Sequence, residues 1–139
     1  TNFFTLGPRV DYRALDWLTV TLTYLYERGL ADGHKDTQFA DDVSYYLHMV
    51  SAGTEVRINR QWDLGFTYIH RRKTFTSGLA GDTHVGRFDA THQGIAELRY
   101  HMSAAATVML SFQYGKRTST NALRDSQDSI LSIGGQYRF

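Results

Sequence analysis

A short pattern returns four times along the chain: an acidic residue, any residue, then arginine, with an amide replacing the acid in the last copy. The copies are Asp11-Tyr12-Arg13, Glu55-Val56-Arg57, Glu97-Leu98-Arg99 and Gln136-Tyr137-Arg138, spaced 44, 42 and 39 residues apart. A period near 40 residues marks one supersecondary unit used repeatedly. Its local period is two, which defines the unit as a β-hairpin with one polar and one apolar face.

The alternation is sustained. From Trp17, Leu18, Val20, Leu22, Tyr24 and Tyr26 share one face, and Thr19, Thr21, Thr23 and Glu27 the other. The second copy places Leu64, Phe66 and Tyr68 opposite Asp63, Gly65 and Thr67. The third places Val108, Leu110, Phe112 and Tyr114 opposite Met109, Ser111, Gln113 and Gly115. Each follows an acidic-x-Arg strand after a short link, near 14–16, 59–61 and 101–105. The opposite connections are long and polar, about 28–42, 73–87 and 116–128, and hold Lys35, Lys73 and Lys116. Upstream of Ser51 the parity flips, so that Tyr45, Leu47 and Met49 become the apolar set. A bulge, or a strand leaving its apolar surroundings, would do this. Pro8 belongs at a strand start, bulge or edge, because it lacks an N–H for the ladder. The reading is seven antiparallel strands in one all-β segment spanning 1–139.

Composition narrows the classes. There is no Cys, so disulfides, thiolate metal sites and c-type haem attachment are excluded. A net charge of +1 from 15 basic and 14 acidic residues gives no footprint for nucleic acid. No apolar run approaches the roughly 18 residues of a membrane helix, but alternating transmembrane strands leave no such run either. The start at Thr1, without Met, suggests a mature or excised segment.

A soluble lipocalin-like barrel or sandwich would show the same alternation, with its apolar face inward. Two features favour an apolar face turned to lipid. The polar face carries small residues and paired charges but no Lys. The apolar face carries aromatics where a strand would cross each interface: Tyr12, Trp17, Trp62, Tyr100 and Tyr137 near the short links, and Tyr24, Tyr26, Tyr68 and Tyr114 near the long connections. Trp17 to Tyr26 spans about 30 Å at roughly 3.3 Å per residue. Tilted by about 40°, that gives a height near the roughly 25 Å of an outer-membrane apolar band.

The terminal Gly135-Gln136-Tyr137-Arg138-Phe139, with Tyr137 and Phe139 on the apolar face, resembles the closing strand of Gram-negative outer-membrane β-barrels. The resemblance covers the whole chain as a pattern and only this last strand as a motif. It implies an antiparallel up-and-down transmembrane barrel in the bacterial outer membrane, contacting outer-membrane lipid. Tyr137 and Phe139 would be the signal read by the barrel-assembly machinery. More distantly, the long hairpins resemble porin-like barrels, exopolysaccharide-export barrels and the sheaths of decahaem electron conduits. In such barrels the last strand descends to the periplasm and the strand number is even. Counting back, the strand from Phe3 to Arg13 also descends, so seven strands leave the barrel incomplete. The chain is therefore expected to be the C-terminal part of a larger barrel, or to close with other chains.

The candidate site is a ladder of lumen charges near the periplasmic mouth: Asp11, Arg13, Glu55, Arg57, Asp63, Glu97, Arg99 and Arg138. Adjacent strands at matched register would let opposite charges satisfy one another across the sheet. They would keep the lumen wet and pin register, or act as a selectivity belt whose mixed signs oppose strong selectivity. The histidines at 34, 48, 70, 84, 92 and 101 show no ligand spacing, so no metal site and no resident cofactor is expected. An external rim of Asp41, Asp42, Asp82, His84, Asp89 and His92 has the residue types of omptin-like proteases, without the spacing that would assign roles; the chain is not read as an enzyme. The expected function is a pore or export barrel with a polar lumen. The alternatives are a sheath around a periplasmic or lumen-filling partner, such as a multihaem cytochrome, and a small sealed structural barrel.

Overall fold

The computed structural model describes residues 2–30, 43–78 and 82–138. They form one antiparallel sheet of eight strands: β1 (Asn2–Leu6), β2 (Arg9–Leu15), β3 (Leu18–Leu30), β4 (Tyr45–Arg57), β5 (Trp62–Phe75), β6 (Phe88–His101), β7 (Ala106–Ser119) and β8 (Ser126–Tyr137). A single 3-10 turn, Ala122–Arg124, precedes β8. From β3 onward each strand pairs with the next, and both β1 and β2 pair with β3. β1 and β2 are thus two halves of one rank, and the sheet has seven ranks.

The break falls at Gly7-Pro8. Pro8 cannot donate to the ladder, yet its carbonyl still accepts from the Tyr24 N–H at 3.0 Å. At Gly7 the chain passes so close to β3 that a methyl group would overlap the Tyr24 carbonyl oxygen. Gly7→Ala is therefore expected to detach β1 from β3, at a cost of about 1–3 kcal/mol. Hydrogen exchange should show lost protection in β1 with β4 to β7 unchanged; retained protection in β1 would contradict the geometry.

Side chains terminate the short links. Asp16-Trp17 joins β2 to β3, after a register shift between Arg13 and Leu15. In the β4–β5 link the Asn59 side chain accepts from the N–H groups of Gln61 and Trp62, at 2.8 and 3.1 Å. In the β6–β7 link Ser103 accepts from Ala105 and Ala106, at 3.2 and 3.1 Å. These are the side-chain-capped turns that Asn and Ser favour.

Three expectations need correction. The ladder between β4 and both its neighbours is unbroken from Tyr45 to Arg57. The parity change at Ser51 is thus no bulge: Tyr45, Leu47 and Met49 share a face with Gly53 and Glu55. The strands also run further than their alternation shows, to Leu30, Phe75 and Ser119. Part of what reads as connection, at 28–30, 73–75, 116–119 and 126–128, is therefore paired backbone, because hydrogen bonding does not require apolar alternation. Finally, Lys73 and Lys116 lie on strands, Lys73 on the polar face and Lys116 on the apolar one; Lys35 is outside the described residues.

The sheet does not close on itself: β8 and the β1–β2 rank are its two edges. Its two faces differ in exposure. On β3, Leu22, Tyr24 and Arg28 are exposed while Thr21, Thr23 and Leu25 are half-buried. On β7, Leu110, Phe112 and Tyr114 are exposed while Ser111 and Gln113 are half-buried. On β3, β4, β5 and β7 the apolar face is thus the more exposed one and the polar face the more sheltered, whereas β1, β2 and β8 are exposed on both faces almost throughout. Among the described residues the only buried large hydrophobic is Phe75.

Candidate functional site

Register decides which charges of the polar face meet. Arg57, Asp63 and Arg99 face one another across β4, β5 and β6. One step further in, Glu55 and Glu97 flank Gly65. That glycine leaves open space between two carboxylates, and Arg99 spans it, reaching Glu55 at 3.1 Å and Glu97 at 3.0 Å. Each guanidinium nitrogen takes one carboxylate, the forked geometry that favours arginine over lysine.

Asp63 is the buried member of the neighbouring group. It meets Arg57 at 3.7 Å and His101 Nε2 at 2.8 Å, and His101 Nδ1 lies 3.0 Å from the Thr107 hydroxyl. The links run β4 to β5 to β6 to β7, a continuous polar seam across four strands. Around it, with Arg60 and Arg138, opens a cavity of about 700 Å³ also lined by Glu55, Arg99 and Gln136.

The remaining ladder residues stand apart. Asp11 pairs with Arg9 at 2.9 Å, not with Arg13, and accepts from Thr21 at 2.7 Å. It lies opposite Thr21 and Gly53, one step off the Glu55 row. Arg13 turns to Asp16 in the β2–β3 link, at 3.2 Å. Both pairs are largely exposed and contribute little. Arg138 lines the cavity, and its backbone N–H donates to Ala105 at 2.9 Å.

The aromatic residues occupy the apolar face as two groups. Tyr12, Trp62, Tyr100 and Tyr137 stand at the short-link end, with the rings of Trp62 and Tyr100 at 4.6 Å, while Trp17 lies in the β2–β3 turn, opposite Arg57, and not on the apolar face of a strand. Tyr24, Tyr26, Tyr68 and Tyr114 stand toward the other end. Tyr24 bonds His48 Nδ1 at 2.8 Å and Tyr68 bonds His92 Nδ1 at 2.7 Å. These pairs repeat the 44-residue period. Histidines that look scattered in sequence are thus gathered: the rings of His70 and His92 are 4.6 Å apart. No cluster of His, Asp and Glu suited to a metal ion occurs among the described residues. Phe139 lies outside them.

A second polar cluster, beyond the Tyr24, Tyr68 and Tyr114 row, is not evident in the sequence. Asp89 accepts from Arg87 at 3.0 and 2.7 Å, from Ser119 at 2.6 Å and from Arg117. The side chains of Arg87 and Asp89 are each only 5% exposed. A turn through Asp82–Arg87, with Gly86 at φ 66°, returns Arg87 onto the sheet. Arg87 lies over the Phe75 ring at 4.6 Å, and Lys73 lies over Tyr45 at 3.6 Å. Burial alone would raise the Asp89 pKa, but donors from Arg87, Ser119 and Arg117 outweigh it and hold the carboxyl well below its usual range. The Tyr45 hydroxyl is raised by its 2.5 Å hydrogen bond to Glu27, while burial lowers Lys73.

Among the described residues the protease-like rim does not assemble. Asp82 and His84 pair at 2.9 Å, but Asp89 is held by arginines on the polar face and His92 projects from the apolar face. Asp41 and Asp42 lie outside the described residues.

No protein-family model, curated protein or solved structure matches the chain.

Proposed function

We propose that this sheet is part of the wall of an outer-membrane β-barrel and that the barrel is a pore or export channel. The observation that carries this reading is the inverted exposure of the two faces. A water-soluble sheet hides its apolar face, whereas on β3, β4, β5 and β7 that face is the more exposed and the polar face the more sheltered. Contiguous apolar patches beyond a few hundred Å² call for a partner or a membrane. Every Asp and Glu on a described strand lies on the polar face, which suits a lumen and not lipid. Open edges would be completed by further strands, from this protein or others, since unpaired backbone is not tolerated in lipid. Such a barrel would be assembled by the outer-membrane assembly machinery through the Tyr137 and Phe139 strand.

Swelling of liposomes after the protein is refolded into them with the strands that complete its edges tests the channel. Influx of small sugars is expected; protected, inserted protein with no influx would overturn it. In planar bilayers Arg99→Ala should free Glu55 and Glu97 and move the reversal potential toward cation selectivity. An unchanged potential would mean that the Arg99 network only pins register.

A second reading has its own observation. Thr107 and Gly65 help leave the polar face hollow, with grooves of about 700 and 380 Å³, so a lumen-filling protein could occupy it. In that case the barrel is a sheath, and a haem-absorbing or other partner would co-purify while swelling would be absent.

A further inference from the structure

The apolar face carries no acid on any described strand, yet it carries Arg28, Arg72 and Lys116, and with them His48, His70 and His92. All six lie on the same side of the aromatic row, past Tyr24, Tyr68 and Tyr114. Random scatter would spread them along the strands. Arg28, Arg72 and Lys116 make no ion pair with any described carboxylate. Instead, the Arg72 guanidinium stacks on Phe88 at 5.0 Å and that of Arg28 on Tyr46 at 5.4 Å. Stacking fixes the plane of a guanidinium while leaving its N–H edge free to donate.

Directly beneath this crown the face is hollow. Ala52, Gly94 and Ala96 provide a floor between the projecting side chains of Phe66, Tyr68, Phe112 and Tyr114, leaving an open depression of about 410 Å³. Lys116 and Arg72 flank His92 and His70, one and two steps above Gly94. The Nδ1 atom of His70 is buried there without a hydrogen-bond partner. An apolar slot that runs up to clustered cations matches one kind of ligand, an amphiphile with an acyl chain and an anionic head.

We infer that this face holds a net-anionic, phosphate-bearing membrane lipid, with its chain in the Gly94 hollow and its headgroup at Arg72 and Lys116. The inference rests on the membrane reading above and specifies the lipid contact of that same wall. Phosphate suits the site because a forked guanidinium and an ammonium can share its oxygens. Juxtamembrane cations add about fivefold in affinity each for an anionic surface.

The test uses the protein together with the strands that complete its edges, refolded into phosphatidylcholine bilayers containing a minor fraction of lipid A, a bisphosphorylated lipid. Insertion is read by protease protection, and bound lipid by native mass spectrometry after extraction. Enrichment of lipid A over phosphatidylcholine is expected. The Arg72→Ala/Lys116→Ala double variant should lower it on the order of twentyfold, with insertion retained. Added Cβ atoms at Gly94 meet nothing within 4 Å, so Gly94→Leu should fill the hollow without disturbing the fold and reduce retention of lipid of either kind. In the wild type alone, raising the ionic strength should erode the preference. Excess inorganic phosphate should not displace the lipid; displacement would show a free-anion site instead. Failure to insert into any bilayer when the strands that complete its edges are supplied would sink the membrane reading itself. Insertion without lipid A enrichment, or enrichment indifferent to the double substitution, would overturn this inference alone.

Discussion

Asp89→Asn is expected to destabilise the sheet by about 3–5 kcal/mol, the cost of leaving a buried arginine without its counter-charge. Arg87 is almost wholly enclosed, held over Phe75 and bonded twice to Asp89. An asparagine of the same shape keeps the volume and removes the charge, so Arg87, which is enclosed, would face the partly exposed Arg117 without the carboxylate between them. Denaturant unfolding of the bilayer-refolded protein measures the loss. Asp11→Asn is the control. Its pair with Arg9 is exposed, and its loss should cost under about 1 kcal/mol.

The same carboxylate predicts a pH dependence. Its folded pKa lies below the ordinary value of 3.8. The stabilisation it provides is therefore complete above about pH 5 and declines as the pH falls through the folded value. The wild type should lose stability on acidification below about pH 4, and Asp89→Asn should lose much less. Parallel acid profiles for the two proteins would show that the Arg87–Asp89–Arg117 cluster does not control the acid limb.

Leu22→Arg should separate a lipid-facing from a water-facing sheet. Leu22 is 53% exposed, near the middle of the band between Trp17 and Tyr26. If lipid covers this face, an arginine there should cost about 2–4 kcal/mol in folding into bilayers. If water covers it, the change should be within about 0.5 kcal/mol, as for other exposed sites. Thr21→Arg, one residue away on the polar face, places the same charge beside Asp11 and should be tolerated in either case. A Leu22→Arg variant as stable as Thr21→Arg would remove the main support for the membrane reading.

Sequence alternation located the strands from Leu18 onward, and their faces outside the first half of β4, because side-chain direction in a strand has period two and needs no tertiary information; it merged β1 and β2 into one strand. Leu18 to Tyr26, Leu64 to Tyr68 and Val108 to Tyr114 lie where that period puts them. The short links were equally readable, since Asn59 and Ser103 terminate them through local hydrogen bonds. Strand ends were not. Lys73 to Phe75 and Lys116 to Ser119 stay in the ladder through backbone bonds that leave no trace in polarity. Nor was the Ser51 parity change interpretable, because a bulge and a change of surroundings give the same string of residues.

The candidate site divides along the same line. That Glu55, Glu97 and Arg99 share a face follows from their even spacing within and between repeats. That Arg99 bridges two carboxylates over Gly65, while Asp11 turns back to Arg9, depends on register, and a two-residue offset between strands exchanges one partner for another. The link from Asp63 through His101 to Thr107 and the Arg87–Asp89–Arg117 cluster join residues 38 and 28 positions apart. Period and composition therefore determined this protein's sheet, its two chemical faces and the ends at which its aromatics stand. Only the tertiary structure decided which face is sheltered, which charges meet, and that three arginine and lysine side chains gather above a hollow on the other face. Alternation is local geometry, whereas register and curvature arise only when the strands are laid against one another.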